Sequence, residues 1–216
     1  MRREPETALN TPSLILASAS PRRRELLAAL GFEFTVVPSS VDEDALLRPD
    51  AVALARALAR AKASDVAANR PGNVVLGADT VVVQRGVMFG KPADPEEARW
   101  MLGRLRGKAH RVITGICVIA PGRRPRVAHE VTRVIMRSYS EAEVEASIAR
   151  GDPFDKAGGY AIQDTLFAPV DAFESCYCNV VGLPLWTTLR LLTDAGISPS
   201  GFRRMPIACE GCATKP

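Results

Sequence analysis

Read for its apolar rhythm, the chain alternates short continuous apolar runs with stretches that repeat every three to four residues. Leu14, Ile15, Leu16 and Ala17 form a run too short for a helix and bounded by Ser18-Ala19-Ser20-Pro21, which predicts a buried strand ending in a loop. A helix should follow: Ser20 is a natural N-cap, Pro21 suits the first helical position, Leu26, Leu27 and Leu30 supply an inward stripe, and Gly31 stops it. Glu33 to Val37 is strand-like. Asp50 to Asn69 is Ala-rich and periodic, with Leu54, Leu58 and Lys62 spaced by four, so the lysine continues the apolar stripe. Val74 to Val83 reads as a strand, and Arg85-Gly86 as a turn before Gly90-Lys91-Pro92.

The next helix carries the clearest signals, with Asp94 as cap, Pro95 at the first position, Glu97 completing a capping box and Gly107 at the end. Thr114 to Ala120 and Val127 to Met136 flank a Pro-Gly-Arg-Arg-Pro turn and predict a two-stranded ribbon. Ser140 with Glu143 opens another capped helix to Arg150, and Gly151-Asp152-Pro153 breaks it. A Gly-rich segment, Ala157 to Gln163, leads toward Val180 to Pro184, and a last helix runs from Leu185 to Ala195 before Gly196. This order is neither pure βαβ alternation nor all-antiparallel, so the expected fold is α/β, a single mixed-sheet domain flanked by helices. Residues 1–12 read as a flexible N-terminal arm, 13–198 as the domain and 199–216 as a C-terminal tail with a CxxC.

Composition narrows the function. A chain of 216 residues with 47% apolar and 24% charged content is an ordinary globular domain, which excludes a fibre, a disordered tail or a small disulfide scaffold. A net charge of +4 is too modest to imply long nucleic acid as a partner, and 6% aromatic residues give no stacking platform beside the arginines. No apolar run approaches the roughly 20 residues that cross a bilayer. The longest candidates, around Val74 to Val83 and Val180 to Leu185, are interrupted by Asp79 or Pro184. Met1 to Ser13 is polar and carries charges of both signs, so no secretory leader is expected, and the default for the five cysteines is reduced thiols in the cytoplasm. Cys176 and Cys178 alternate like strand residues and ask for no special role. Cys209-Glu-Gly-Cys212, with no second CxxC and no adjacent histidine, is insufficient for a zinc site on its own. His110 and His129 lack ligand spacing.

The positions that invite chemistry are few. Arg22-Arg23-Arg24 packs positive charge into a helix first turn where the macrodipole is already positive, directly after a buried strand. Hydroxyls, backbone N–H groups and forked guanidinium donors there suit a phosphate. Asp79 sits among valines, where an ionised carboxylate needs a partner. Gly77 and Ala78 remove bulk beside it, as close approach of a ligand or metal would require, and Thr80 adds a hydroxyl. Asp42-Glu43-Asp44 is an acidic loop of the kind that holds hard divalent cations together with substrate phosphates. With Lys62, Lys91 and the arginines, the chain offers separated positive groups for a polyphosphate and separated acidic ones for a cation or base.

The segments SASPRRRELL from Ser18, GADTVV from Gly77, GKP from Gly90, DKAGGYAIQ from Asp155 and VVGLPL from Val180 together resemble the Maf-like nucleotide pyrophosphatases, over roughly Leu14 to Leu192. The resemblance implies a Maf/ITPase-like α/β fold and a cytoplasmic hydrolase, often a homodimer. Such an enzyme converts a nucleoside triphosphate and water to the monophosphate and pyrophosphate with a divalent cation, Mg²⁺ or Mn²⁺. By position, Asp79 matches the proton acceptor, Glu43 its acidic partner at the metal and phosphates, and Arg23, Lys62 and Lys91 the phosphate-binding groups. Ser18, Ser20 and Lys156 fall in the same substrate-binding segments. Arg22, Thr80 and Gln163 stand where branches of the family differ and match the branch acting on dTTP and UTP, whereas the 7-methyl-GTP branch has Trp, Gln and Glu there. A glutamine amide offers both donor and acceptor to the N3–H and carbonyls of uracil or thymine. Asp164 to Phe167 and Gly159 depart from the common pattern, and the CxxC tail lies outside it. The rival class is a nucleotide-binding regulator of septum formation with low turnover.

Overall fold

The structure is a computed structural model that describes residues 13–46 and 48–201 together with Cys209, Cys212 and Lys215. The N-terminal arm expected over 1–12 lies outside the described residues, as does most of the expected tail. The expected mixed sheet is present and has seven strands: β1 (Leu14–Leu16), β2 (Phe34–Val36), β3 (Val74–Gln84), β4 (Val87–Phe89), β5 (Ala109–Ile119), β6 (Arg126–Met136) and β7 (Val170–Glu174). Their order is β2-β1-β3-β5-β6-β7, with β4 also on β3. β1 runs parallel to β2 and β3, and every other pairing is antiparallel. The helices are α1 (Pro21–Ala29), α2 (Ala51–Ala68), α3 (Pro95–Leu105), α4 (Glu141–Ala149), α5 (Tyr177–Val181) and α6 (Leu185–Asp194). Among the described residues no helix is long and apolar enough to cross a membrane.

Strand alternation sorts β3 between two layers. Val75, Val81 and Val83 face α2, where Ala55, Ala59, Ala63 and Val66 complete the packing. Val74, Leu76 and Ala78 face α1, α5 and α6 through Leu27, Val181 and Leu192. The α2 face of the sheet is bare at Gly77 and Gly115: a Cβ on Gly77 would meet Ala59 O at 2.4 Å, and one on Gly115 would meet Ala55 O at 2.2 Å. The space beside Asp79 therefore receives helix backbone, which corrects the expectation that Gly77 makes room for a ligand or metal. The lean face of α2 is made by Ala55, Ala59 and Ala63 as much as by the expected stripe, of which Leu58 and Lys62 are buried and Leu54 only half-buried.

The sheet is incomplete along one edge of β3. β1 pairs with it only as far as Leu76, and β4 takes up the same side only from Val82. β5 meanwhile covers the opposite edge from Val75 to Val83. The stretch around Asp79 is thus central on one side and open on the other.

Several local expectations are corrected. β5 begins at Ala109, ahead of the expected Thr114, because pairing with β3 and β6 carries the strand through the polar residues His110 and Arg111. Glu97 does not close a capping box: Asp94 accepts from Glu97 N–H at 2.8 Å, but the Glu97 carboxylate accepts from Ala93 N–H, outside the helix. The reciprocal box forms at Ser140 and Glu143. Cys176 and Cys178 are not on a strand, since Cys176 caps α5 by accepting from Asn179 N–H at 3.4 Å and Cys178 lies inside that helix.

His110 is buried with its Nε2 2.6 Å from Tyr160 Oη, and its Nδ1 has no partner. Burial lowers its pKa from 6.5 to about 4. The unfolded chain therefore takes up a proton between those values that the folded chain refuses, so stability is lost as pH falls from about 6.5 to about 4. The loss is on the order of 3 kcal/mol. Urea unfolding across that range should show a steeper decline for the wild type than for His110→Gln, and parallel curves would remove His110 from the account.

Candidate active site

The open edge of β3 borders a cavity of about 790 Å³ between the β1–α1 loop, the acidic loop at Glu43, the start of β4–α3 and the Gly-rich segment. Two short 3-10 turns, Asp152–Asp155 and Ala157–Gly159, form the last of these walls. Because β1 ends and β4 has not begun, side chains from both faces of β3 reach the same space. Asp79 belongs to the α2 face, opposite Gly115, and Thr80 to the other, opposite Thr114.

Asp79 is 5% exposed and its Oδ1 accepts from Lys62 Nζ at 2.6 Å. The same ammonium lies 2.8 Å from Glu43 Oε1. Lys62 reaches this point because α2 packs its alanines onto Gly77 and Gly115, which sets the helix close to the strand. The cost of burying Asp79 is met by this pairing. Burial pushes the Glu43 carboxyl up, but its hydrogen bond to Lys62 and the charges of Lys62, Lys91 and Arg23 outweigh that and hold it below its ordinary value.

On the other face, Arg23 donates from Nε to Gly182 O at 2.9 Å, from Nη2 to Thr80 Oγ1 at 3.0 Å and from Nη1 to Ser18 Oγ at 3.4 Å. Its pKa is lowered by burial, against the opposing pull of Asp79 and Glu43. Thr80 Oγ1 lies 3.0 Å from Thr114 Oγ1, whose own proton goes to Asn179 O at 2.8 Å. Thr80 must then donate to Thr114 and accept from Arg23, which leaves only an acceptor lone pair for a ligand. Ser18 and Ser20 shape the loop: Ser18 Oγ accepts from Ser20 N–H at 3.2 Å, and Ser20 Oγ accepts from Arg23 N–H at 3.4 Å.

Arg22 donates to Asp155 Oδ2 at 2.8 Å, and Lys156 pairs with the same carboxylate, so the arginine-rich first turn of α1 finds its anion on the Gly-rich segment. Lys91 and Gln163 are exposed and complete the lining. One cavity is thus bordered by Ser18, Ser20, Arg22, Arg23, Glu43, Lys62, Asp79, Thr80, Lys91, Lys156 and Gln163, whereas Arg24 and Asp42 of the two charged clusters do not line it. Sequence reasoning missed Asp155 and Tyr160, which also border it. Both stand in the DKAGGYAIQ segment already singled out, Asp155 directly beside Lys156.

A mixed α/β sheet that opens onto a nucleotide-sized cavity, with a buried Asp79–Lys62 pair joined by the exposed Glu43 on one wall and arginines on the other, defines a class: α/β proteins built to handle a polyanionic small molecule. The sequence profile of Maf-like proteins matches residues 13–195, and the chain belongs to that family. A protein of Thermomicrobium roseum named dTTP/UTP pyrophosphatase is 55% identical over 209 residues, 94% of each chain. Another so named, from Symbiobacterium thermophilum, is 46% identical over 183 residues, 85% of this chain and 94% of its own. Among solved structures, a HAM1 protein from Coxiella burnetii aligns with a TM-score of 0.46 at 16% identity, over 85% of this chain and 99% of its own.

Proposed function

We propose that the protein hydrolyses dTTP and UTP to the monophosphate and pyrophosphate. The observation that carries this reading is the convergence of Asp79, Lys62 and Glu43 at the open edge of β3, within the cavity that Arg23 borders from the other face. The names of the relatives supply the substrate. Arg22 and Gln163 share that cavity, and the Gln163 amide can match both the N3–H and a carbonyl of a pyrimidine. The family expectation of a cytoplasmic homodimer accompanies this reading.

In the mechanism, Arg23, Lys91 and Lys156 bind the phosphates and fix the α-phosphorus in line with a water. Lys62 holds Asp79 through Oδ1, leaving the second carboxylate oxygen to take the proton of that water as it attacks. Pyrophosphate then leaves among positive groups that are already in place. Glu43 and Asp79 both pair with Lys62 Nζ, at 2.8 and 2.6 Å, and the carboxylate oxygens that the ammonium does not engage would be the hard donors beside the phosphate site. That set suits Mg²⁺ or Mn²⁺, which take one or two carboxylates and complete their shell from phosphates and water. When bound, such a cation neutralises charge on the triphosphate.

Pyrophosphate release across a panel of canonical and modified triphosphates tests the substrate: dTTP and UTP should lead it, and tight binding without turnover would instead favour a nucleotide sensor. Chelation with EDTA is expected to stop the reaction, and Mg²⁺ or Mn²⁺ to restore it. Full activity in chelator would remove the cation from the mechanism.

A further inference from the structure

The reaction does not use the cysteines, yet the fold gathers four of them. Cys178 and Cys209, 31 residues apart in sequence, are joined by a disulfide with their Cα atoms 6.7 Å apart. The thiols of Cys176 and Cys212 neighbour each other. All four are buried, at 0–5% exposure, in the same apolar cluster. Trp186 Nε1 donates to Cys209 O at 3.2 Å, and Lys215 Nζ lies 5.9 Å from the centre of the Trp186 ring, so this part of the tail is seated against α6. The CxxC that lacked a partner in sequence therefore meets a C-x-C at the start of α5.

We propose that Cys176, Cys178, Cys209 and Cys212 form a tetrathiolate site for a soft divalent cation of the zinc class. Four cysteine sulfurs in a closed, apolar setting are the donor set of structural zinc sites, and they are too soft for the magnesium-class ions suited to Glu43 and Asp79. With two of the sulfurs bonded to each other, no group of three or more His, Cys, Asp or Glu among the described residues can hold a metal ion. Reduction changes that. A dithiol reductant gives two electrons and two protons to the Cys178–Cys209 bond and leaves as its own disulfide. The cation then takes four thiolates and releases four protons. A Zn–S distance of about 2.3 Å sets tetrahedral sulfurs on the order of 3.8 Å apart. The cytoplasm of the proposed function keeps thiols reduced, and there such a cluster more often binds metal than forms a bridge.

The site would brace one wall of the nucleotide cavity. Cys176 O accepts from Thr132 Oγ1 at 3.0 Å, and Asn179 Nδ2 donates to that hydroxyl at 2.9 Å. Val180 and Val181 of α5 border the cavity, and Gly182 O receives Arg23. The metal would thus fix the helix against which the phosphate-binding arginine rests.

The full chain, purified with a phosphine reductant and no added metal, is expected to carry about one zinc by elemental analysis. After stripping, Co²⁺ should give the strong visible absorption of tetrahedral cobalt thiolate. Asp79→Asn should bind equally, since its change lies at the other site, and Cys209→Ser/Cys212→Ser should lose the absorption. If the double variant does not fold, Cys212→Ser, which keeps three sulfurs, should weaken and shift the spectrum. Wild-type protein that takes up neither zinc nor cobalt after treatment with the reductant would overturn the proposal, whether or not the Cys178–Cys209 bridge has opened. So would metal uptake indifferent to the cysteine changes.

Discussion

Asp79→Asn should lower pyrophosphate release on the order of 100-fold or more while the chain stays folded. The amide keeps the shape of the side chain and an oxygen for Lys62, but it has no basic oxygen to receive the proton of the attacking water. Lys62 is not stranded by the change, because Glu43 still lies 2.8 Å from its ammonium. A 100-fold loss corresponds to about 2.7 kcal/mol of transition-state stabilisation. At saturating Mg²⁺ it should appear in kcat with nucleotide affinity within a few-fold of wild type, since Arg23, Lys91 and Lys156 bind the phosphates. Turnover within tenfold of wild type would leave Asp79 as a structural partner of Lys62 and no more.

Gly115→Ala is expected to destabilise the fold by at least about 3 kcal/mol, the upper end for overpacking. The atom in the way is a helix carbonyl oxygen, Ala55 O, 2.2 Å from the added methyl, and no side chain can rotate to relieve it. For a chain of 216 residues this lowers the melting temperature by about 6–12 °C. Gly103→Ala is the control, because a Cβ there meets nothing within 4 Å and it sits in α3, where alanine is the better helix former. Equal melting temperatures for the two variants would show that α2 is not held by contact at Gly115. Because α2 carries Lys62, Gly115→Ala should also disturb the Asp79 pairing and depress turnover beyond what lost stability accounts for.

Much of this was legible in the residues. Lys62 on an apolar stripe and Asp79 inside a valine run each needed a buried counter-charge, and the two satisfy one another. The mixed sheet and the order of most elements followed from apolar periodicity and capping signals. What misled were features whose meaning depends on long-range contact. Gly77 reads the same whether the space beside it takes a ligand or a helix. Cys176 and Cys178 have the spacing of strand residues, yet the hydrogen bonds among Thr132, Asn179 and the backbone seat them at a helix start. The start of β5 was missed because polar residues hid a stretch that pairing with two neighbours keeps extended.

The interruption beside β3 also bears on how such a protein can change its diet. From Leu76 to Val82 the bare margin measures about 20 Å at the usual rise of an antiparallel strand. Its length is set by where the two short neighbours stop and start. Insertions that prolong β1 past Ala17, or carry β4 on beyond Phe89, would narrow the doorway without altering any residue that grips phosphate. Ligand size could then drift through strand length while the hydrolytic machinery stays as it is.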